Sequence, residues 1–226
     1  MASVATLRSV RSASWLFFIA CAALLVAGCE IVPPRVERDG LYPPDWPDTV
    51  GSGENCRGIE GTFENKGALV EAKQYDRSGR LVSRESRTGT ALLSDMFRMV
   101  GSQERSDQAA LAALQRCERV SLSVEPYSQR ISEVFDWKLD RLMLSITGIQ
   151  PVDSDPAVQG GPCAASLRVG YSECKDGVFV NRVAFYMWAV EVGRDGSLVV
   201  DRRLLRSCDQ LTCSFDRVIG RFKRVP

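Results

Sequence analysis

Apolar and polar residues alternate with a period of two along most of the chain after Cys56, a pattern typical of half-buried β-strands. The clearest hairpin consists of two long runs around Gly193–Gly196. Its first run, Val183–Val192, is apolar in both phases, which predicts a central strand covered on both faces. Further strands are expected in a run beginning near Gly61, a hairpin turning at Asp76–Gly79, the runs Arg119–Glu125, Arg130–Asp136 and Arg141–Ile149, a hairpin turning at Lys175–Gly177, and a closing run at Ser214–Val225.

Two stretches have the 3.6-residue period of helices instead. Thr90 is suited to cap a helix that Gly101 would end, with apolar positions on one face at Leu92, Leu93, Met96, Phe97 and Val100. A second, alanine-rich helix is predicted over residues 107–116, with Ser106 as its cap. Many strands with short turns and one or two short helices predict a mainly β (α+β) fold. We expect an antiparallel sheet or a partly closed β-barrel.

The first 28 residues have the layout of a secretory signal peptide. Arg8 and Arg11 form a basic start, and the apolar run Trp15–Ala27 and the small residue Gly28 precede Cys29. As a helix, this run would be about 20 Å long, short of the roughly 30 Å of a bilayer's hydrocarbon core. A cleaved signal is therefore the favoured interpretation. A tilted membrane anchor is the alternative, because residues 12–29 are all uncharged.

The end of this segment, Val26-Ala27-Gly28-Cys29, resembles the lipobox of bacterial lipoproteins. The resemblance implies cleavage between Gly28 and Cys29 after a diacylglyceryl group is attached to the cysteine sulfur. It also implies acylation of the new amino terminus, and two or more acyl chains form a stable membrane anchor. By the family's sorting rule, Glu30 after the cysteine indicates the outer membrane. The expected location is therefore the cell envelope, on an outer-membrane lipid anchor facing the periplasm.

Residues 29–55 are predicted to form a proline-rich tether, because this segment contains half of the chain's ten prolines. Fully extended, it would reach roughly 80 Å from the membrane. Trp46 in this segment either docks on the domain or a partner, or stays exposed without a role. The globular domain is expected over residues 56–226.

Six cysteines follow the tether, an even number that indicates disulfides in an exported protein. Fifteen pairings are possible. The preferred one joins Cys208 to Cys213, Cys163 to Cys174, and Cys56 to Cys117, since the first two pairs are local in sequence. A zinc site is the rival interpretation, but the cysteines lack the usual short paired spacings, so no metal or other cofactor is predicted.

The chain has no histidine, which excludes Ser-His-Asp and Cys-His catalysis and histidine acid-base chemistry. Carboxylate pairs remain possible, and Glu191 is notable because it lies alone among apolar strand residues. The alternative is a strand-end carboxylate that reaches solvent or an arginine. After residue 28 the chain carries 27 basic and 28 acidic side chains, and this net charge of −1 gives no reason to expect nucleic acid as a partner.

The C-terminal part is locally basic. Its basic side chains could form a face for phosphate-bearing lipid or polymer, or simply solvate the outer side of a sheet. These residues are Arg202, Arg203, Arg206, Arg217, Arg221, Lys223 and Arg224.

Two more resemblances bear on function. The run Cys56–Asn65, together with Cys174–Gly177, is similar to segments of uncharacterised lipid-anchored bacterial envelope proteins. The run Gly61-Thr62-Phe63 resembles the start of lipocalin-like barrels, with phenylalanine in the usual tryptophan position.

The expected function is a non-enzymatic interaction or structural role, with an envelope protein or the cell wall as partner. Lipocalin-like binding of a small hydrophobic ligand is the alternative.

Overall fold

The computed structural model describes residues 36, 38, 40–75, 86–97, 105–132, 137–149, 163, 165–183, 186–208 and 213–226. These residues belong to one unit, Pro34–Pro226. Within them, eleven strands form a single sheet in which every pairing is antiparallel. The mainly β fold class is therefore confirmed.

The strands follow in the chain as β1 Thr49–Val50, β2 Gly61–Glu64, β3 Lys66–Tyr75, β4 Ser86–Leu92, β5 Arg119–Ser132, β6 Trp137–Ile149, β7 Ser166–Lys175, β8 Val178–Val183, β9 Tyr186–Gly193, β10 Leu198–Cys208 and β11 Cys213–Phe222. Their order in the sheet is β2-β5-β6-β7-β8-β9-β10-β11-β3-β4, with β1 beside the end of β9. A 3-10 segment covers Glu54–Ile59, and the described helices are α1, Leu93–Met96, and α2, Arg105–Leu114. No helix in the described ranges is long and apolar enough to cross a membrane.

The hairpins predicted from local sequence are present. Asp176 and Gly177 join β7 to β8 with φ values of 53° and 76°, as a tight turn with both central residues in the left-handed region requires. The predicted strands Arg119–Glu125 and Arg130–Asp136 are instead one continuous strand over Arg119–Ser132. Pro126 interrupts the sequence pattern but fits this strand, because β2 pairs only with Arg119–Leu122. The expected turn residues 76–79 lie outside the described ranges.

β2 and β3 are two halves of one bent run, separated by Asn65 alone. β2 pairs with β5, whereas β3 pairs with β11 and β4. On its other side β2 meets the chain just after β11, where the Glu64 N–H donates to the Lys223 carbonyl at 2.9 Å and the Val225 N–H donates to the Thr62 carbonyl at 2.9 Å. The sheet therefore curves around one face without closing into a continuous ladder.

This curved inner face is filled with large side chains. Phe63, Phe179, Trp188 and Phe222 are all at most 1% exposed. Helices α1 and α2 cover the same face with side chains of the same core cluster, Leu93, Met96, Leu111 and Leu114. The Trp188 indole N–H donates to the Met96 carbonyl at 2.7 Å, so the tryptophan also satisfies the end of α1.

The predicted helix caps are wrong. Thr90 lies in β4 opposite Ala68, and α1 begins without a side-chain cap of its own. Helix α2 begins at Arg105, so Ser106 lies inside it. Asn65 takes over the capping of α1 from a distant part of the chain. The predicted helix positions Val100 and Gly101 lie outside the described residues.

Asn65 is fully buried and ties the bent run to both helices. Its side-chain amide donates to the carbonyls of Leu114 and Cys117 at 2.8 and 2.9 Å. Its side-chain oxygen accepts from the Ser94 N–H at 3.1 Å, and its backbone oxygen accepts from the Leu93 N–H at 2.6 Å. One residue therefore satisfies the end of α2 and the start of α1.

The opposite, outer face of the sheet is also buried around β9, which confirms the predicted central strand over Tyr186–Gly193. Its predicted start at Val183 is wrong, because Val183 ends β8 and pairs with Tyr186 across a hairpin. Trp188 and Val190 point to the inner face, whereas Ala189 and Glu191 are each 4% exposed on the outer face. Strands β8 and β10 flank β9. A strand covered on both faces accounts for the continuous apolar run.

The N-terminal segment packs on this outer face. Val36 is 5% exposed, and its N–H donates to a carboxylate oxygen of Glu191 at 3.2 Å. Leu41, Tyr42 and Trp46 are buried, and the rings of Tyr42 and Trp46 meet edge to face at 5.8 Å. The chain then joins the sheet as β1.

The prediction of an extended tether over residues 29–55 is therefore wrong for the described part of this segment, which is held on the domain by its buried residues and by β1. Proline fixes φ and removes a donor in a docked segment as much as in a free one. The docked segment is favoured over a free one because burial of the apolar side chains between the prolines removes their surface area from water. Trp46 docks on the domain. Residues 29–35 lie outside the described ranges.

Among the residues whose side chains are described there are two disulfides, Cys56–Cys174 and Cys117–Cys163, with Cα atoms 5.6 and 5.1 Å apart. Both differ from the preferred pairing, which is wrong for these four cysteines. Cys163 precedes β7 and Cys174 lies near its far end, so an extended strand holds them roughly 30 Å apart. A disulfide requires Cα atoms within about 7 Å.

Gly148 makes room for the second bridge, because a Cβ there would lie 2.6 Å from the Cys117 sulfur. The remaining cysteines, Cys208 and Cys213, lie directly opposite each other across β10 and β11. Their side chains lie outside the described part of the structure, so the predicted third pair stays a prediction.

We expect Asn65→Ala to lower the free energy of unfolding by about 3 kcal/mol, because it leaves the Leu114 and Cys117 carbonyls and the Ser94 N–H buried without their partner. Urea unfolding measured by circular dichroism checks this. Ser123→Ala, at an exposed position of β5, is the matched control and should change stability by less than about 0.5 kcal/mol. Equal stability of both variants would show that Asn65 is not a structural centre.

Candidate anion-binding groove

The predicted C-terminal basic face is divided among several environments. Arg202 donates to the Asp95 carbonyl at 2.9 Å, beneath α1. Arg206 forms an ion pair with Asp216 across β10 and β11. These side chains hold the fold together.

Arg203 and Arg217 belong to a buried cluster around Asp201 on the outer face. Arg217 contacts both carboxylate oxygens of Asp201, with its Nη2 2.7 Å from the nearer one, and Arg203 lies 3.3 Å away. Burial alone would raise the pKa of Asp201, but Arg217 and then Arg203 outweigh it and lower the pKa. Asp201 is therefore the charged partner that allows two arginines to lie in the interior.

The other three predicted basic residues, Arg221, Lys223 and Arg224, come together at one end of the sheet. With Lys66 they line an open groove of about 590 Å³, called the basic groove below. The remaining lining residues are Glu64, Gly67, Ala68, Thr90, Asp195 and Ser197.

Strand register assembles the basic groove. Arg221 of β11 lies opposite Ala68 of β3, and Lys66 begins the same strand two residues earlier, on the same face. Gly67 between them lets the strands approach closely, because a Cβ there would lie 2.2 Å from the Arg221 carbonyl oxygen. Two segments that are distant in sequence thus bring their ammonium and guanidinium groups to one surface.

Asp195 in the turn between β9 and β10 orients Arg221. A carboxylate oxygen of Asp195 lies 2.5 Å from Arg221 Nη2, and Arg221 Nε donates to the Ser197 hydroxyl at 3.3 Å. Partial burial would raise the pKa of Asp195, but hydrogen bonds from the Ser197 side chain and backbone, and then Arg221, lower it to about 2. Asp195 is therefore ionised at neutral pH.

Arg224 lies over the ring of Phe63, with its guanidinium carbon 5.1 Å from the ring centre. One terminal nitrogen donates to the Gly58 carbonyl at 2.6 Å, but its Nε is buried with no hydrogen-bond partner among the described residues. Lys223 is 77% exposed, and its nearest carboxylate, on Glu64, is 3.8 Å away. The ammonium group of Lys223 is therefore accessible to a ligand.

Four basic and two acidic side chains give the basic groove a net charge of +2. Arginine offers fixed, paired donors, whereas lysine is a mobile point charge, and phosphate and carboxylate groups suit both. The groove is therefore suited to bind an anion.

Glu191 holds the N-terminal segment, as its bond to the Val36 N–H shows. It also lines a smaller polar cleft of about 390 Å³. In this cleft Asp48 forms ion pairs with Arg38 and Arg194. Burial raises the pKa of Tyr42 beside it, against the opposing charges of Arg38 and Arg221. Glu191 is 4% exposed, so the carboxylate does not reach solvent as one form of the alternative interpretation required.

The predicted lipidation site Cys29 and the cleavage residue Gly28 lie outside the described residues. Within the described ranges, no group of three or more histidine, cysteine, aspartate or glutamate side chains is arranged to hold a metal ion.

Sequence reasoning identified Arg221, Lys223 and Arg224 but missed Lys66 and Asp195. Lys66 carries no local signal, because only the β3-β11 pairing places it beside them. Asp195 had a usable signal, since an aspartate two residues before a serine in a glycine-containing turn is typical of a carboxylate that binds its own turn.

No family model, curated protein or solved structure matches this chain. The functional interpretation therefore depends on the residues themselves.

We expect the Asp195 carboxylate to titrate with a midpoint of about 2, below its ordinary value of 3.8. The pKa of Asp195 is lower in the folded state than its ordinary value of 3.8, so Asp195 contributes fully to stability above pH 3.8. This contribution is lost as the pH falls through about 2. NMR detection of the side-chain carboxyl measures the midpoint. Ser197→Ala removes one of the hydrogen bonds and should raise it, whereas a wild-type midpoint near 3.8 would contradict the assigned contacts.

Proposed function

We propose that the protein is a lipid-anchored component of the bacterial cell envelope that acts by binding rather than by catalysis. The basic groove is its binding surface. The observation that carries the binding role is the net charge of +2 in one open groove, where residues of β3 and of the C-terminal segment come together.

Two independent features support export and anchoring. The sequence Val26-Ala27-Gly28-Cys29 has the layout of a lipoprotein processing site after a basic and apolar signal. Farther along, the described body contains two disulfides, which form and persist in oxidising compartments outside the cytoplasm.

The groove chemistry supports a non-enzymatic role. It presents amines, guanidinium groups, two carboxylates and a serine, and the chain has no histidine to serve as a general base near neutral pH. Asp195 is engaged by Arg221 and Ser197 and stays ionised. A carboxylate with so low a pKa is a poor proton acceptor and suits an orienting role.

The packing of the inner face favours this proposal over lipocalin-like binding of a small hydrophobic ligand. Such binding needs an apolar cavity inside the sheet. In the described structure, the corresponding space holds Phe63, Trp188 and Phe222, each at most 1% exposed, with α1 and α2 packed against them.

Cys29→Ser should abolish acylation and leave an uncleaved precursor, because the modified sulfur is what the processing step recognises in the lipoprotein family. Metabolic labelling with a radioactive fatty acid and gel mobility of the product measure both effects. Cys21→Ser, inside the apolar run, is the matched control and should leave labelling and size unchanged. Normal labelling of the Cys29→Ser protein would overturn the lipoprotein assignment.

A photoreactive amino acid at Ala68, an exposed position of the basic groove, should capture the bound envelope component in intact cells. The same probe at Ser166, exposed on β7, is the control outside the groove. Mass spectrometry of the adducts identifies the captured component. Adducts from Ser166 as abundant as those from Ala68 would contradict a specific binding role for the groove.

A further inference from the structure

The lipid anchor and the docked segment are close in sequence. Only seven residues lead from Cys29 to Val36, and Val36 is buried with its N–H held by Glu191. Even fully extended, seven residues span at most about 25 Å. The point where the chain leaves the domain is therefore close to the bilayer, not roughly 80 Å from it as an undocked tether would allow.

The basic groove lies on the same face as this exit point. Glu191 is opposite Val199, Val199 is opposite Arg221, and Arg221 is opposite Ala68, so one cross-strand row connects them. Residues directly opposite each other share a face of the sheet. At about 4.8 Å per strand, Arg221 is roughly 10 Å from Glu191 and Ala68 roughly 15 Å.

The size of the domain determines which of its sides can face the membrane. A unit of this length has a radius of gyration of about 16 Å and is therefore roughly 40 Å across. The connection from Cys29 is shorter than that, so the side of the domain that carries Val36 is the side held toward the membrane. The basic groove is on that side, and Lys66 and Lys223 are exposed there.

We propose that the basic groove binds the phosphate groups of anionic lipid headgroups in the membrane that holds Cys29. This inference rests on the lipid anchor proposed above and names the ligand of the same groove. Exposed ammonium groups of Lys66 and Lys223 contact phosphate as point charges, and Arg221, held by Asp195, offers its guanidinium in a fixed orientation. The lipid anchor keeps the groove at a high local concentration of headgroups, which compensates for the weak attraction expected of a net charge of only +2.

Amine-reactive footprinting of the mature acylated protein tests this proposal. The chain has only five lysines, so mass spectrometry resolves the acetylation rate at each site. The protein is reconstituted into vesicles of phosphatidylcholine, or of phosphatidylcholine with abundant phosphatidylglycerol. We expect Lys66 and Lys223 to react about fivefold more slowly in the anionic vesicles, the change typical of a basic side chain at an anionic surface. High salt should remove the difference.

Lys138, on β6 and five strands away from β11 in the sheet, is the internal reference. Unchanged rates at Lys66 and Lys223 would overturn the proposal, and so would equal protection of Lys138, which would indicate general shielding. Protection by inorganic phosphate in detergent micelles, with no protection in vesicles, would assign the groove to a free anion and also overturn the proposal.

Matched variants separate the groove from overall charge. Lys223→Gln should weaken the protection of Lys66, whereas Arg168→Gln, which removes the same charge at an exposed position of β7, should not. Both are surface substitutions that leave the core unchanged.

A protein that carries no acyl group and fails to enter vesicles would refute the anchor itself. An acylated protein whose lysines react equally in both vesicles would refute only the ligand.

Discussion

The hydrogen bonds of Asn65 connect the parts of this fold that local sequence cannot connect. The residue lies at the bend between β2 and β3, and its side chain and backbone reach the end of α2 and the start of α1. Because β2 pairs with β5 and β3 with β11, the bend also joins both sides of the curved sheet. A buried amide with its partners in place thus fixes sheet curvature and the position of the two helices that cover the inner face.

The outer face follows a different physical rule, because it buries charge as well as apolar surface. Asp201 neutralises part of the charge of Arg217 and Arg203, and Glu191 accepts the N–H of Val36. Paired charges can be buried where isolated ones cannot. The docked N-terminal segment and the basic groove share this face and are connected by a few cross-strand pairs.

Local signals predicted the elements whose contacts are close in sequence. The hairpins at Lys175–Gly177 and Gly193–Gly196 and the central strand β9 follow from alternation and turn residues. Predictions failed where a partner came from far along the chain. The cap of α1 is Asn65 and not the predicted Thr90. The local pair Cys163–Cys174 does not form because the extended strand β7 separates the two cysteines. Three of the groove's four basic residues were visible in the sequence as a C-terminal cluster, whereas Lys66 joins them only through the pairing of β3 with β11.

The sequence by itself determined the β class, the principal hairpins and the absence of histidine chemistry, because each depends on residue type or on short spacing. Tertiary structure decided the disulfide partners, the docking of the segment around Trp46 and the composition of the basic groove. These depend on which strands become neighbours and in what register. Burial and long-range hydrogen bonding set that register, and no local pattern encodes it.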